Sequence, residues 1–496
     1  MHGALKARPK VQSADWSPRG NNQPFLLGLI RNVALDVHGN PKADTWEGLN
    51  EILNESLSRY SLHPGMKLYA RTAIENYLDC HDVIQQELGP LQLKACDPVV
   101  PMGPNNLLTV WAPVYETTSG IREVRRLRVR SARPKGTKPD PWTVVAAMVA
   151  SQVRPLGSLQ KIRIVEVGLS DGSTTITFDG TPLEAQSNYE ALAVPKIRDI
   201  VNATASFPGP SCKECKITGS CSSLLKLNGF LGQSNPGPYT RSVSARDIEI
   251  YETCPAQWLL SRSSSLPAES TAKHASIRGI SVHRLLATSH SSAGRCTPES
   301  FEGEITDDPH LHGDEGSEVR KYIRNHAENC PITDDIKLIG SEVPVYGYDE
   351  HSDVVIASKP DMVYIDRDET LVIRETKTTR LEIPNDEAEA FDKYFAVSWL
   401  INLFASGYKG PLHSDSARFE LEVISPTESR VFSWDLNDQG LLRMAQKEVH
   451  LRARGWHNDT TWATQPAKHC GWCPVRKWCP DAMSPQDVAP EGDDLD

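Results

Sequence analysis

The stretch KPDMVYIDRDETLVIRETKTT, residues 359–379, decides the fold of the second half of this chain. Its segments DMVYID and TLVIRETKT have the apolar content of short strands and are joined by a polar turn. Asp361 opens the first strand, whereas Glu375 and Lys377 stand near the end of the second with one threonine between them. Alternate residues of a strand share a face, and paired strands lie about 4.8 Å apart. We therefore expect these three charged side chains to converge.

Two carboxylates and one ammonium group at a strand end favour chemistry on phosphate. Asp361 and Glu375 are suited to hold Mg²⁺ or Mn²⁺, which binds carboxylate, water and phosphate oxygens. Lys377 can orient a water molecule or stabilise charge on a scissile phosphate. The pattern predicts hydrolysis of a phosphodiester by metal-activated water, with Asp361, Glu375 and Lys377 as the catalytic residues.

The cysteines point to metal or cluster binding. The segments SCKECKITGSC, residues 211–221, and HCGWCPVRKWC, residues 469–479, share the spacing C-x2-C-x5-C. The chain is long, its eleven cysteines are an odd number, and its first residues show no export signal. These features favour ligation over a disulfide scaffold and predict a cytoplasmic protein.

A chain of 496 residues is too long for one hydrophobic core, so we expect several domains, and its composition indicates where they begin and end. The net charge of −11 argues against a surface built for nonspecific nucleic-acid binding, and no apolar run is long enough to span a membrane. The predicted parts are an N-terminal extension (1–44), a first domain (45–230), a linker (231–243), a second domain (244–481) and an acidic tail (482–496).

The second domain has the pattern of an α/β (α+β) fold. Helices are expected near residues 245–262 and 272–288, followed by the strands SEVPVYGY, DVVIAS, DMVYID and TLVIRETKT. A helix over residues 387–406, two more strands and a last helix complete it. We expect a mixed central sheet flanked by helices.

The first half follows the same order of elements. LRVRSAR, residues 127–133, aligns with LVIRETK, residues 371–377, and WAPVY aligns with KPDMVY on a shared Val-Tyr pair. Together with the cysteine spacing, this order predicts an internal duplication. The alternative is two unrelated α/β domains that share a spacing by chance.

The motif Pro360-Asp361 … Glu375-Thr376-Lys377 resembles that of the PD-(D/E)XK nucleases, whose core is restriction-endonuclease-like. Cys254 precedes this core and the second cysteine run follows it. That order is similar to the RecB/AddB-like iron–sulfur exonuclease branch, which includes CRISPR-associated exonucleases.

The resemblance implies that His283, in the segment GISVH, is a further metal ligand. Glu342, at the start of the first predicted strand, is a secondary candidate for the same metal. The resemblance also implies a [4Fe–4S] cluster on four cysteines, namely Cys254, Cys470, Cys473 and Cys479. Zinc on the same four thiolates is the alternative, since Cys₄ suits both.

The first copy is expected to be degenerate. Ser131, Arg133 and Ala112 take the places of the three charged residues in this alignment, so the copy lacks carboxylates for Mg²⁺. Its cysteines could hold a second cluster or zinc, with the ligands Cys212, Cys215 and Cys221 and either Cys80 or Cys96. Its basic stretch, residues 122–138, is either a solvated strand face or a DNA contact, with the candidates Arg125, Arg126, Arg128, Arg130 and Arg133.

These features predict a metal-dependent deoxyribonuclease, acting as an exonuclease on single strands or DNA ends. The resemblance implies a role in DNA repair, recombination or defence against foreign DNA, with helicase or defence-system partners. One departure stands out, because the Gln-x-x-x-Tyr pattern of the branch is replaced at Phe395 and Trp399. The alternative function is therefore a catalytically inactive DNA-binding or scaffold subunit of a nuclease or helicase complex.

Overall fold

The fold is known from a computed structural model of the chain. It describes residues 26–38, 40–101, 107–134, 136, 140–154, 159–215, 217–237, 241–269, 274–291, 295–301, 305, 311, 313–333, 335–408 and 416–483. Most of the predicted N-terminal extension and nearly all of the predicted acidic tail lie outside these ranges. No helix of the described ranges is long and apolar enough to cross a membrane.

Helices and strands alternate along the chain. The α-helices are α1 (Leu26–His38), α2 (Trp46–Ser58), α3 (Pro64–Leu88), α4 (Pro141–Gln152), α5 (Pro182–Asn188), α6 (Val194–Asn202), α7 (Ala245–Thr253), α8 (Pro255–Trp258), α9 (His274–Ser291), α10 (Asp314–Asn329), α11 (Glu387–Lys393), α12 (Phe395–Ala405) and α13 (Gln439–Asn458). The strands are β1 (Leu91–Cys96), β2 (Val99–Pro101), β3 (Leu107–Thr109), β4 (Pro113–Thr117), β5 (Ile121–Arg128), β6 (Lys161–Gly168), β7 (Thr174–Gly180), β8 (Leu225–Lys226), β9 (Arg241–Val243), β10 (Lys337–Ser341), β11 (Val345–Asp349), β12 (Val354–Ser358), β13 (Met362–Ile365), β14 (Leu371–Thr378), β15 (Ala417–Ile424) and β16 (Ser429–Asp435).

Two five-stranded sheets have the same topology. One has the strand order β1-β4-β5-β6-β7 and the other the order β10-β13-β14-β15-β16. In each sheet only the third pair is parallel, β5 with β6 and β14 with β15. Parallel neighbours need a crossover, and α4 and α12 lie in the two crossover connections. The predicted mixed sheets flanked by helices are confirmed.

The crossover regions begin in the same way. Asp140 caps α4 by accepting a hydrogen bond from the Thr143 N–H, and Asp386 caps α11 by accepting one from the Glu389 N–H. α4 and α12 are apolar nearly all round, which is the composition of a helix buried between layers.

Strand pairing corrects the alignment of the two halves. Val114 lies opposite Val124, and Val363 lies opposite Ile373. Val124 is thus equivalent to Ile373. Arg126 and Arg128, two and four residues after Val124, occupy the positions that Glu375 and Lys377 occupy in β14. The predicted counterparts, Ser131 and Arg133, lie beyond the end of β5. The sequence alignment matched the Leu-x-x-Arg segments of the two halves, and this match shifted it by five residues from the register of the strands.

Each sheet also buries one arginine beside the tyrosine of its Val-Tyr pair. The Arg125 guanidinium lies 4.4 Å from the centre of the Tyr115 ring and donates to Glu123. Arg374 donates to Glu420, which also accepts the hydroxyl hydrogen of Tyr364. Buried guanidinium groups need such partners, because an unpaired buried charge is strongly destabilising.

Buried His81, beside Arg125, makes stability depend on pH. Burial, together with the neighbouring Arg125, lowers the pKa of His81 to about 3. The unfolded chain takes up this proton near pH 6.5 but the folded chain does not, so stability falls as the pH drops. We expect the free energy of unfolding to lose about 2 kcal/mol from His81 between pH 7 and pH 5.

Denaturant unfolding of His81→Gln and the wild type at both pH values measures this loss. Glutamine keeps an acceptor for Arg125, whose Nη1 lies 2.8 Å from His81 Nδ1, but does not titrate. An equal pH dependence in both proteins would contradict the assignment.

Other parts differ from the predicted organisation. Residues 26–38, within the predicted extension, form α1, which buries Leu29, Ile30 and Val33 in the main core. β9 lies in the predicted linker and pairs with β12, while β8 pairs with β11. The predicted strands SEVPVYGY and DVVIAS therefore belong mainly to a separate four-stranded sheet, β8-β11-β12-β9.

Candidate active site

The predicted catalytic residues meet where β13 begins and β14 ends. The Lys377 ammonium donates to Glu375 Oε1 over 2.7 Å, as expected for two side chains on one face of a strand. Asp361 lies across the hairpin, and its Oδ2 accepts a hydrogen bond of 2.7 Å from the Thr376 N–H. The backbone of β14 thus fixes the orientation of the aspartate.

α9 brings His283 to the same place. Its Nδ1 lies 2.9 Å from Asp361 Oδ1. The helix packs closely on β14, since a Cβ on Gly279 would lie 3.4 Å from Thr378 Oγ1. Val282 and Leu285, on the same helix, are fully buried beneath it. These buried neighbours anchor this part of α9, and the contact with Asp361 orients the His283 ring.

Glu342 completes a possible set of metal ligands. Ligand atoms of His283, Glu342 and Asp361 all lie within 4.8 Å of one another. Glu342 follows β10 instead of opening a strand as predicted, and it has a positive φ of 53°. Its N–H donates to the Asp361 carbonyl over 2.9 Å, and its carboxylate pairs with Lys359. The strained backbone turns this carboxylate toward the site.

The charges at the site influence one another. Burial alone would raise the pKa of Asp361, but His283 and Lys377 hold it below its usual value. Burial raises the pKa of Glu375 despite the adjacent ammonium. The pKa of Lys377 is raised because Glu375 and Asp361 outweigh the effect of burial. Asp361 is thus ionised and ready to bind a cation, while Lys377 keeps its proton.

This donor set fits a hard divalent cation. Carboxylate oxygens are the ligands that Mg²⁺ and Mn²⁺ prefer, and imidazole is compatible with Mn²⁺. Glu375 is not part of the group of mutually close ligand atoms, because its carboxylate is engaged by Lys377.

Four cysteines of the second half line a single cavity: Cys254, Cys470, Cys473 and Cys479. Burial is the main cause that raises the pKa of Cys473, to about 11, and the other three thiols add to it. A tetrahedral zinc site, with Zn–S bonds of about 2.3 Å, would hold its sulfurs about 3.8 Å apart. These thiols do not form a group in which three sulfurs lie within 4.8 Å of one another. Four thiolates suit both an iron–sulfur cluster and zinc.

The first cysteine run has different surroundings. Cys212 and Cys221 pack beside Tyr348 and Val355 of the four-stranded sheet. Cys80 is buried in α3 with its thiol 2.9 Å from the Gly172 carbonyl. The other candidate, on β1, is exposed. The contacts of these two residues therefore give no support to either as a fourth ligand of the run.

The candidate DNA-binding arginines separate into two groups. Arg125 is fully buried, so it cannot reach a phosphate, and this prediction was wrong. Arg126 pairs with Asp140 and Glu166, and Arg128 also pairs with Glu166. The arginines that are exposed to solvent are Arg130 and Arg133.

Sequence reasoning missed one residue at the site. Tyr394, between α11 and α12, has a buried hydroxyl without a hydrogen-bond partner among the described residues. Burial raises its pKa to about 12, partly offset by the nearby charge of Lys377. Its position between two helices gave no sequence signal that Tyr394 lies near Lys377. Trp399 is core, as its helical spacing suggested, and its ring packs on Phe230 and Phe395.

Comparison with known proteins bears on the second half of the chain. No curated protein matches it. The crystal structure of SSO0001 is similar over 49% of this chain and 87% of that chain, at 14% identity and a TM-score of 0.20, which is too low to support an argument. Residues 242–480 match the family model of the PD-(D/E)XK nuclease superfamily, and this region contains the site described above.

Proposed function

We propose that the chain is a metal-dependent deoxyribonuclease whose active site is formed by Asp361, Glu375 and Lys377. The observation that carries this proposal is the 2.9 Å contact between His283 and Asp361, beside the Lys377–Glu375 pair, inside the region that matches a nuclease superfamily. An aspartate, a glutamate and a lysine brought together from separate strands and held by backbone contacts are characteristic of a reactive site.

In this mechanism Asp361, Glu342 and His283 would hold Mg²⁺ or Mn²⁺, with Glu375 beside them. That ion would supply Lewis-acid stabilisation of the phosphate and would activate water. Lys377 holds its proton and so places a positive charge beside the attacked phosphodiester.

We propose that the protein belongs to the RecB/AddB-like iron–sulfur branch of the superfamily. The four clustered thiols come from the start and the end of the domain, as in the RecB/AddB-like exonucleases. We propose that a [4Fe–4S] cluster closes this loop and that the substrate is single-stranded DNA or DNA ends. Repair, recombination or defence against foreign DNA in the cytoplasm, with a helicase partner, follows from that branch.

The first half is proposed to be a duplicated, inactive copy. Its sheet has the topology of the second, but Arg126 and Arg128 pair with Glu166 where the second sheet carries Glu375 and Lys377. Ion pairs have thus taken the place of the metal-binding carboxylates. A copy of this kind can hold DNA beside the active one.

The exposed arginines of the first half test this role. Replacing Arg130 and Arg133 together by alanine should weaken binding of single-stranded DNA and reduce its salt dependence. Each lost phosphate contact lowers the slope of log K against log salt by about 0.7, so we expect a change of about 1.4. Binding titrations at several salt concentrations measure it. Arg367→Ala, at the far end of the hairpin from Asp361, is the control. An unchanged slope in the double variant would show that these arginines of the first half do not contact DNA.

The proposed function is tested by a nuclease assay on anaerobically purified full-length protein. Single- and double-stranded DNA are offered with Mg²⁺, with Mn²⁺ or with a chelator. We expect cleavage that requires the metal. If folded, cluster-loaded protein binds DNA without cleaving it under any of these conditions, the chain is a binding or scaffold subunit instead.

A further inference from the structure

A second group of metal-binding side chains lies away from the nuclease site. Its members are His290, Cys296, His326 and Cys330. All four are buried, with exposures of 6% or less. Ligand atoms from the four residues all lie within 4.8 Å of one another, which the four cysteines of the proposed cluster do not achieve.

The distances suit tetrahedral zinc. With Zn–N bonds of about 2.0–2.1 Å, two imidazole nitrogens on one zinc ion stand about 3.3 Å apart. The Nε2 atoms of His290 and His326 are 3.2 Å apart. A thiolate at about 2.3 Å from the metal stands about 3.6 Å from such a nitrogen. The Cys330 sulfur is 3.9 Å from His290 Nε2.

A carboxylate orients one of the ligands. His326 Nδ1 lies 2.8 Å from a Glu422 oxygen on β15. Donation of the Nδ1 hydrogen to this carboxylate leaves Nε2 free to bind, which is the usual arrangement behind a metal-ligating histidine. Glu422 is itself held by the Ser429 hydroxyl at 2.9 Å. The second layer of contacts expected of a metal site is therefore present.

Charge balance also favours zinc. Two thiolates and one Zn²⁺ are neutral together, so the filled site can be buried without an unpaired charge. Four ligands fill the coordination of zinc and leave no open position, which is the mark of a structural site.

We propose that His290, Cys296, His326 and Cys330 bind one structural zinc ion that holds α9 against α10. His290 and His283 are both on α9, seven residues or about two turns apart, so they lie on similar faces of the helix. A zinc ion at His290 fixes this helix where His283 meets Asp361. The metal thereby positions the nuclease site without taking part in it.

Metal analysis of the full-length protein tests the proposal independently of nuclease activity. Protein produced with zinc in the medium and purified anaerobically without chelator is analysed for zinc and iron. The double variant Cys296→Ser/Cys330→Ser should lose one zinc equivalent per chain and keep its iron. Cys473→Ser should lose iron and keep its zinc, and Lys337→Ala, exposed on β10, should change neither metal.

A second measurement avoids variants that fail to fold. In the wild type, Cys296 and Cys330 should resist alkylation until a strong zinc chelator is added, as read by peptide mass spectrometry. Wild-type protein free of zinc, an unchanged zinc content in the folded double variant, or a disulfide between Cys296 and Cys330 would each overturn the proposal.

Discussion

Lys377→Ala is expected to reduce DNA cleavage by about 10²–10³-fold, the usual cost of removing one charge-stabilising donor from an active site. Its ammonium lies 2.7 Å from Glu375 and is kept protonated by two carboxylates. Its removal takes the positive charge from beside the phosphate. It also leaves Glu375 without its partner, and burial already raises the pKa of that carboxyl. Single-turnover cleavage at saturating Mg²⁺ or Mn²⁺ measures the loss.

Lys337→Ala is the matched control for this variant. Lys337 is exposed at the other end of β10, opposite Ile365 and away from Asp361, so the control should cleave like the wild type. DNA binding by Lys377→Ala should change little, since this lysine is only one of several positive charges expected to contact the DNA phosphates. Undiminished cleavage by the lysine variant would show that the chemistry is elsewhere.

Much of the geometry of the candidate site could be predicted because it depends on short-range contacts. The period of two along β14 placed Glu375 and Lys377 on one face, and a single turn brought Asp361 beside them. Glu342 was named, but its position in a strained turn was not foreseen. That turn depends on the hydrogen bond to the Asp361 carbonyl, a contact between strands that composition does not encode.

Long-range pairing explains what the sequence did not reveal. β9 joins β12 from more than a hundred residues away, so a linker-like composition concealed a strand. Cys296 and Cys330 resemble ordinary buried cysteines, because their histidine partners come together only when α9 packs on α10. Sequence spacing identified the two cysteine runs as candidate ligands, but it could not identify a group of side chains that only helix packing brings together.

The largest expected effect on stability is that of Cys254→Ser. Cys254 precedes α8 and lines one cavity with three thiols that follow α13, so the proposed cluster would close a loop of more than two hundred residues. Losing such a cross-link is expected to lower the free energy of unfolding by about 2–5 kcal/mol. Anaerobic denaturant unfolding, together with iron content and the visible absorption of the cluster, measures both consequences.

Serine is nearly the size of cysteine, so Cys254→Ser leaves little empty space, and its effect reports on the lost ligand more than on packing. Arg367→Ala, exposed in the turn between β13 and β14, should keep its iron and its stability. The cysteine loop also packs on the N-terminal helices through Trp478 and Tyr69, whose ring centres are 5.0 Å apart. Loss of the cluster should therefore loosen α3 as well, seen as faster amide exchange there. Full iron content and unchanged stability in Cys254→Ser would contradict a cluster held by this residue, and wild-type protein containing zinc in place of iron there would replace the cluster with a Cys₄ zinc site.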